Sequence, residues 1–298
     1  MYKKTAIIIT IILCFTYYIP VLSYAAEAPE IDCPAAILID SASGRILYER
    51  NMHQKMYPAS ITKIMTAVLA LERGNLKDMV TASLDAVTSV GPGGSHIGIL
   101  PGETLSLEDL LYGLMVASAN DGANVIGEYI SGSMDEFVNL MNQRAIELGA
   151  INTHFTNTNG MPDDEHVTTA YDMAMIAKHA MTIPKFREIV STSYYEIEPT
   201  EKYKEKRYLS NTNHLINKYR ATKSYNYYYE PAIGIKTGYT DQANYTLAGA
   251  ARKNRIELIT VVMGGKAVDG KLQIYEDTIK LLEYGFNNFS TQTIVRPG

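Results

Sequence analysis

Pro58-Ala59-Ser60-Ile61-Thr62-Lys63-Ile64-Met65-Thr66 is the stretch from which the rest of the chain is read. Apolar residues recur at helical spacing from Ile61 to Leu71, and Gly74-Asn75 supply a stop. Ser60 therefore falls in the first turn, where unpaired backbone N–H groups point toward whatever binds there. Three residues on, Lys63 shares its helical face, so the ammonium can reach the hydroxyl. A serine hydroxyl is a weak nucleophile until a neighbour takes its proton, and a lysine can do so when its charged form is disfavoured. Alone, the pattern fits a helix N-cap followed by a solvated lysine better than it fits a catalyst.

Outward from this helix, Ala35–Asp40 and Arg45–Arg50 read as an opening β-hairpin around Ser41-Ala42-Ser43-Gly44. Downstream, Leu107–Ala117 and Ala123–Ile130 read as helices flanking a short polar break, followed by helices over Met134–Leu148 and Ala170–Met181. Tyr245–Ala251 and Glu257–Met263 alternate as two strands across a tight Lys253-Asn254-Arg255 connection, with a final helix from about Leu272 to Tyr284. Strands at both ends with helices between predict a mixed α+β (α/β) fold. In it an antiparallel sheet is closed by the N- and C-terminal strands and carries a helical subdomain.

Two further motifs gain meaning beside the first. Ser118-Ala119-Asn120 lies in the break between two helices, and Lys236-Thr237-Gly238 ends a strand-like run from Gly234. Either alone reads as ordinary turn or strand-end chemistry. A glycine after Thr237 would let a substrate backbone approach and pair with a strand edge. The ordered set Ser-x-x-Lys, Ser-x-Asn, Lys-Thr-Gly belongs to serine enzymes of the penicillin-binding and class A β-lactamase type. On these motifs the chain resembles the low-molecular-mass penicillin-binding proteins of the D-alanyl-D-alanine carboxypeptidase family, most closely their sporulation-associated Gram-positive branch. Thr169-Ala170-Tyr171-Asp172-Met173-Ala174 and Val262-Met263-Gly264-Gly265 extend the likeness over about 35–289, the expected catalytic domain.

The resemblance implies a β-lactamase/transpeptidase-like fold and a penicillin-sensitive enzyme that trims the terminal D-alanine from peptidoglycan stem peptides. Ser60 would be the nucleophile and Lys63 its base. Ser118 would relay a proton to the leaving amine, and Asn120 would hold the substrate amide and Lys63. Lys236 and Thr237 would meet the terminal carboxylate, with Gly238 and Tyr239 completing the strand edge. The backbone N–H groups of Ser60 and Tyr239 would form an oxyanion hole. Lys271 stands where many relatives carry an arginine, giving charge without a bidentate fork. β-Lactams would be covalent inhibitors. Three other readings stay open. A D,D-endopeptidase would use the same residues. A class A-like β-lactamase would need a deacylating carboxylate, and Glu198-Pro199 makes a poor match for one. The third is a non-catalytic peptidoglycan-binding protein.

Composition narrows the setting. The 298 residues are 46% hydrophobic and 20% charged, which excludes general disorder. The net charge of -5 gives no ground for nucleic-acid binding. Lys3-Lys4, the apolar Thr5–Leu22 run and small residues around Ala25–Ala28 read as an export signal over 1–25, cleaved near 25–28. The product is then expected at the cell wall or the outer face of the membrane, touching the membrane only if the signal stays. Cys33 is left unpaired and is not read as a nucleophile. The six histidines lack metal-ligand spacing, and no cofactor is implied. Nine of the 22 tyrosines fall within 194–229, read here as a β-hairpin and loop with amphipathic side chains. Residues 290–298 are expected to begin a further C-terminal domain.

Overall fold

The computed structural model describes residues 27–91, 93–220 and 225–290. The expected export signal and nearly all of the expected C-terminal extension lie outside these residues. Strand β1 (Ala35–Asp40) is apolar through Ile39 and buried throughout that run. A strand of this kind needs cover on both faces. It pairs with β2 (Ile46–Arg50) on one side and with β9 (Ile256–Gly265) on the other. Short strands β3 (Met79–Thr81) with β4 (Thr104–Ser106), and β5 (Tyr194–Ile197) with β6 (Arg207–Ser210), form separate two-stranded ribbons. The main sheet is completed by β7 (Ala232–Thr240) and β8 (Asn244–Lys253), in the all-antiparallel order β2-β1-β9-β8-β7. The pair β10 (Ala267–Val268) and β11 (Lys271–Leu272) follows β9. N- and C-terminal segments thus close one sheet, as the sequence predicts, and β7 is one of its two edges, opposite β2.

The two-residue period of the strands sorts their side chains between two cores. Ala35, Ile37 and Ile39 join Ile259, Val261 and Met263 on the larger core, while Ala36 and Leu38 join Leu247, Leu258 and Val262 on the other. Each such buried aliphatic contributes about 1.5–3 kcal/mol relative to exposure. The larger core is filled by helices α1 (Lys63–Arg73), α2 (Leu84–Thr88), α3 (Leu107–Val116), α4 (Asn120–Ser131), α5 (Met134–Glu147), α6 (Ala170–Ala180) and α7 (Pro184–Ser191). The smaller is covered by α8 (Gln273–Asn288), whose Ile274, Leu281 and Leu282 are buried.

Two departures from the sequence reading bear on the site. Residues Ala59–Thr62 form a 3-10 turn, and the α-helix begins only at Lys63. The turn opens on Ala59 at φ +51°, so no regular helix runs back through Pro58. Helix α4 begins at Asn120 rather than Ala123, directly after the extended Ala119, so the polar break is shorter than its composition implies. Helices α2 and α7 and the β3–β4 ribbon are too short for periodicity to reveal.

Candidate active site

Three elements meet where the helical block touches the edge strand. The 3-10 turn lifts Ser60 toward β7, the α3–α4 connection supplies Ser118 and Asn120, and β7 supplies Lys236–Tyr239. Ser60, Ser118, Asn120, Thr237, Gly238 and Tyr239 line one cleft of about 620 Å³, together with Thr212, His214 and Tyr275. Lys63 and Lys236 lie fully buried beneath its floor. Eight of the nine residues singled out from the sequence are brought together in this way. The ninth is not. Lys271 is absent from the cleft lining, more than half exposed, and its ammonium faces Glu276 at 3.6 Å. The short β10–β11 turn carries it away, and the next residue, Leu272, lines the cleft instead.

Lys63 donates to Ser60 Oγ at 3.0 Å and to the Asn159 carbonyl at 2.7 Å. Burial first, and then the nearby charge of Lys236, hold its ammonium well below the usual lysine range, against an opposing pull from Asp121. Burial also pushes Lys236 down to about 7. Its ammonium donates to the Thr237 carbonyl at 2.9 Å. The Asp121 carboxylate accepts the N–H groups of Ile97 and Ile99 at 3.2 and 3.0 Å. Those bonds fold the 95–99 segment over the second motif.

That motif is strained and held. Ser118 has φ +62°, which costs a non-glycine residue about 1–2 kcal/mol. Ser95 secures it on both sides: its hydroxyl donates to the Ser118 carbonyl at 2.7 Å, and its carbonyl accepts the Asn120 N–H at 2.8 Å. The Asn120 side-chain oxygen is buried without a partner, an acceptor left for a donor that enters the cleft. Two glycines let the walls approach. A Cβ on Gly160, at φ +89°, would lie 1.9 Å from the Ala59 carbonyl oxygen, and one on Gly238 would lie 2.7 Å from the Ser60 nitrogen. The backbone of β7 therefore rests directly on the nucleophile's own amide.

A sequence profile of the D-alanyl-D-alanine carboxypeptidase family matches residues 23–267, most of the chain. The chain belongs to that family. Among curated members it is 35% identical to the carboxypeptidase DacF of Bacillus subtilis over 89% of this chain and 65% of that protein. It is 34% identical to DacA of Escherichia coli over 91% of this chain and 64% of that protein. It thus spans just under two thirds of the length of these relatives. For DacB2 of Mycobacterium tuberculosis, at 30% identity, the shares are 88% and 86%. A crystal structure of a D-alanyl-D-alanine carboxypeptidase from Mycobacterium tuberculosis superposes with a TM-score of 0.78 at 28% identity, covering 89% of this chain and 95% of that one. A mutant of a Streptomyces DD-transpeptidase superposes at 0.77 and 28% identity, covering 87% and 99%. The mixed α+β fold is that of the penicillin-binding DD-peptidases.

Several residues of this family member's cleft are missed by reasoning from sequence. Asn159 seats Lys63 through its carbonyl, a backbone role that no side-chain motif announces. Asp121 adjoins a motif but acts through a loop more than twenty residues upstream. Thr212 reaches Thr237, hydroxyl to hydroxyl, at 2.9 Å. His214 stacks on Tyr275 at 5.1 Å, and Tyr227 stacks on the same ring at 4.7 Å. Part of the tyrosine-rich segment thus builds and backs a cleft wall rather than decorating the surface. Its turn-forming Asn211-Thr212-Asn213 run was the available signal. Glu198 is largely exposed, pairs with Lys206 at 2.8 Å and lines a different groove. Among the described residues lining the Ser60 cleft, the carboxylate is Asp241, which accepts from the Tyr239 hydroxyl at 2.9 Å. No cluster of three or more metal-ligating side chains occurs among the described residues. No helix among them is long and apolar enough to cross a membrane.

Proposed function

We propose that this protein is a serine D-Ala-D-Ala carboxypeptidase acting on peptidoglycan stem peptides through an acyl-enzyme on Ser60. The observation that carries the reading is Lys63, fully buried where burial disfavours its ammonium, 3.0 Å from the hydroxyl of a cleft-lining serine. Ser60 Oγ attacks the carbonyl carbon between the two D-alanines, and Lys63 Nζ takes its proton. The oxyanion is met by the N–H groups of Ser60 and Tyr239, a contribution on the order of 3 kcal/mol per donor. The C–N bond then breaks as Ser118 relays the proton taken up by Lys63 to the departing D-alanine amine, and water hydrolyses the ester, one of its hydrogens returning to Ser60 Oγ.

The strand edge of β7 aligns the peptide, and Asn120's unpartnered oxygen accepts its amide N–H. Carboxylate recognition falls to Thr237, Thr212 and the buried Lys236. With Lys271 turned to Glu276, no bidentate fork contributes. The strained carbonyl of a β-lactam meets the same groups and forms the same ester, while Asp241, the carboxylate among the described lining residues, accepts from the Tyr239 hydroxyl. Export follows from the basic and apolar N-terminal sequence, which puts the enzyme at the cell wall.

The test is to add a fluorescent penicillin to the purified protein and locate the labelled peptide by mass spectrometry, with Ser60→Ala as control. D-Alanine release from diacetyl-Lys-D-Ala-D-Ala is measured in parallel. A stable adduct on Ser60 with D-alanine release is the expected result. An adduct without release shifts the reading to endopeptidase work. Rapid penicillin turnover replaces it with β-lactamase, and no adduct on folded protein replaces it with a binding platform.

A further inference from the structure

The position of Lys63 depends on a segment outside all three motifs. Residues 156–160 pass beneath the nucleophile, and the Asn159 carbonyl fixes the ammonium at 2.7 Å. One side of this segment is wired to the helices. The Thr66 hydroxyl donates to the Thr158 carbonyl at 2.5 Å, and the Thr158 hydroxyl donates to Asn124 Oδ1 at 2.6 Å, one helical turn beyond Asn120. At the Ser60 end the tie is a histidine. His166 is 1% exposed, and its Nδ1 accepts the Thr156 N–H at 3.0 Å. An acceptor at Nδ1 of a neutral ring leaves the proton on Nε2. Nε2 therefore donates to the Thr62 hydroxyl, 2.8 Å away. Thr62 is itself fully buried and lies between Ser60 and Lys63 in the chain.

We propose that His166 is a positioning residue for acyl transfer: its neutral imidazole ties the turn carrying Ser60 to the segment whose carbonyl seats Lys63. This deepens the acyl-enzyme reading and rests on it. The bridge is rigid, since both nitrogens belong to one planar ring, and Nδ1 also meets the Thr156 hydroxyl at 3.2 Å. Without it, Thr62 and the Thr156 backbone are free to drift apart, and the 3.0 Å reach from Lys63 to Ser60 is no longer enforced at that end. A misplacement of about 1 Å in a reacting pair costs on the order of 100-fold in rate. Protonation would set an N–H at Nδ1 against the N–H of Thr156 and leave the Thr156 hydroxyl, at 3.2 Å, to accept it. Burial holds the imidazole down at about 4, with His154 and Lys63 acting in the same direction and Asp163 opposing. His166 touches no substrate, so its loss acts on the rate of the chemical step and leaves binding in the cleft alone.

The experiment measures acylation by a fluorescent penicillin in His166→Ala, Thr62→Val, the double variant and His166→Gln, together with melting temperature. The limiting rate is separated from the half-saturating concentration. His166→Ala and Thr62→Val are expected to lower the limiting rate by about 10- to 100-fold, with half-saturation within about threefold of the unsubstituted protein. The double variant should be no slower than the slower single one. His166→Gln, whose amide can accept and donate in place of the ring, should recover most of the rate. Variants that melt earlier yet acylate at the original limiting rate overturn the proposal, as do losses that multiply in the double variant. Should His166→Ala fail to fold, Thr62→Val keeps the volume of the site, and an unchanged rate there is equally fatal. Failure of the unsubstituted protein to acylate overturns the acyl-enzyme reading and this inference with it.

Discussion

Two regions of this molecule bury cations, and they do so to opposite ends. At the hairpin β5–β6, Arg207 is enclosed with Glu103 at 2.8 Å in a bidentate pair. Two more of its donors are met by the carbonyls of Ile97 and Gly98 at 2.9 and 3.0 Å, and Tyr203 covers its face at 3.9 Å. Burial would raise the Glu103 carboxyl, but bonds from Arg207, the Leu100 N–H and Thr200 outweigh that and hold it low. Beneath the cleft, Lys63 and Lys236 are as deeply buried and contact hydroxyl and carbonyl oxygens alone. The first arrangement keeps its charge and fastens the 97–103 segment to the hairpin. The second disfavours charge, which a proton acceptor requires and a structural anchor does not. Burial of a cation is therefore uninformative by itself. What the ammonium or guanidinium is offered as a partner decides its role.

The sharpest test of that contrast is Lys63→Met. Penicillin acylation should fall by at least about 1,000-fold, the scale of losing a base paired to its nucleophile. The melting temperature should hold or rise, because an unneutralised buried polar group is removed. A clear loss of stability would put Lys63 with Arg207. Arg207→Met should show the reverse pattern. It leaves Glu103 buried and alone, so urea unfolding should lose about 3–5 kcal/mol, while acylation by the folded fraction stays within a few-fold. Pairing it with Glu103→Leu should restore most of the loss.

An intermediate effect comes from pH. Burial holds His166 at about 4 in the folded chain against 6.5 when it is exposed. Between those values the unfolded chain binds the extra proton, so stability falls as pH drops from 6.5 to 4, by about 3 kcal/mol in all. Urea midpoints across that range should show the decline, and His166→Gln should remove this part of it. An undiminished slope in the variant would place the titrating group elsewhere. The smallest effect is expected of Lys271→Ala. Since its charge is turned to Glu276, KM for a D-Ala-D-Ala peptide should change less than about twofold. A tenfold rise would bring Lys271 back to the carboxylate.

The sequence alone determined the chain's local grammar. Apolar runs and two-residue alternation located β1, β8 and β9. Helical spacing located α1, α3, α5 and α6, and three short motifs picked out Ser60, Lys63, Ser118, Asn120 and Lys236–Tyr239. These features are written in neighbouring residues, and spacing in the chain constrains them directly. Only the tertiary structure decided which distant segments would serve the motifs. It brought the Asn159 carbonyl to Lys63, Ser95 and Asp121 to the second motif, and Thr212 to Thr237. It also turned Lys271 away on a two-residue strand. Each of these depends on backbone atoms or loop paths, whose positions follow from the packing of helices against a sheet edge and, the turn-forming run around Thr212 apart, leave no period or residue signature behind. The charge states of Lys63 and Lys236 belong to the same class, because burial is set by everything that covers a side chain and by nothing in its own identity.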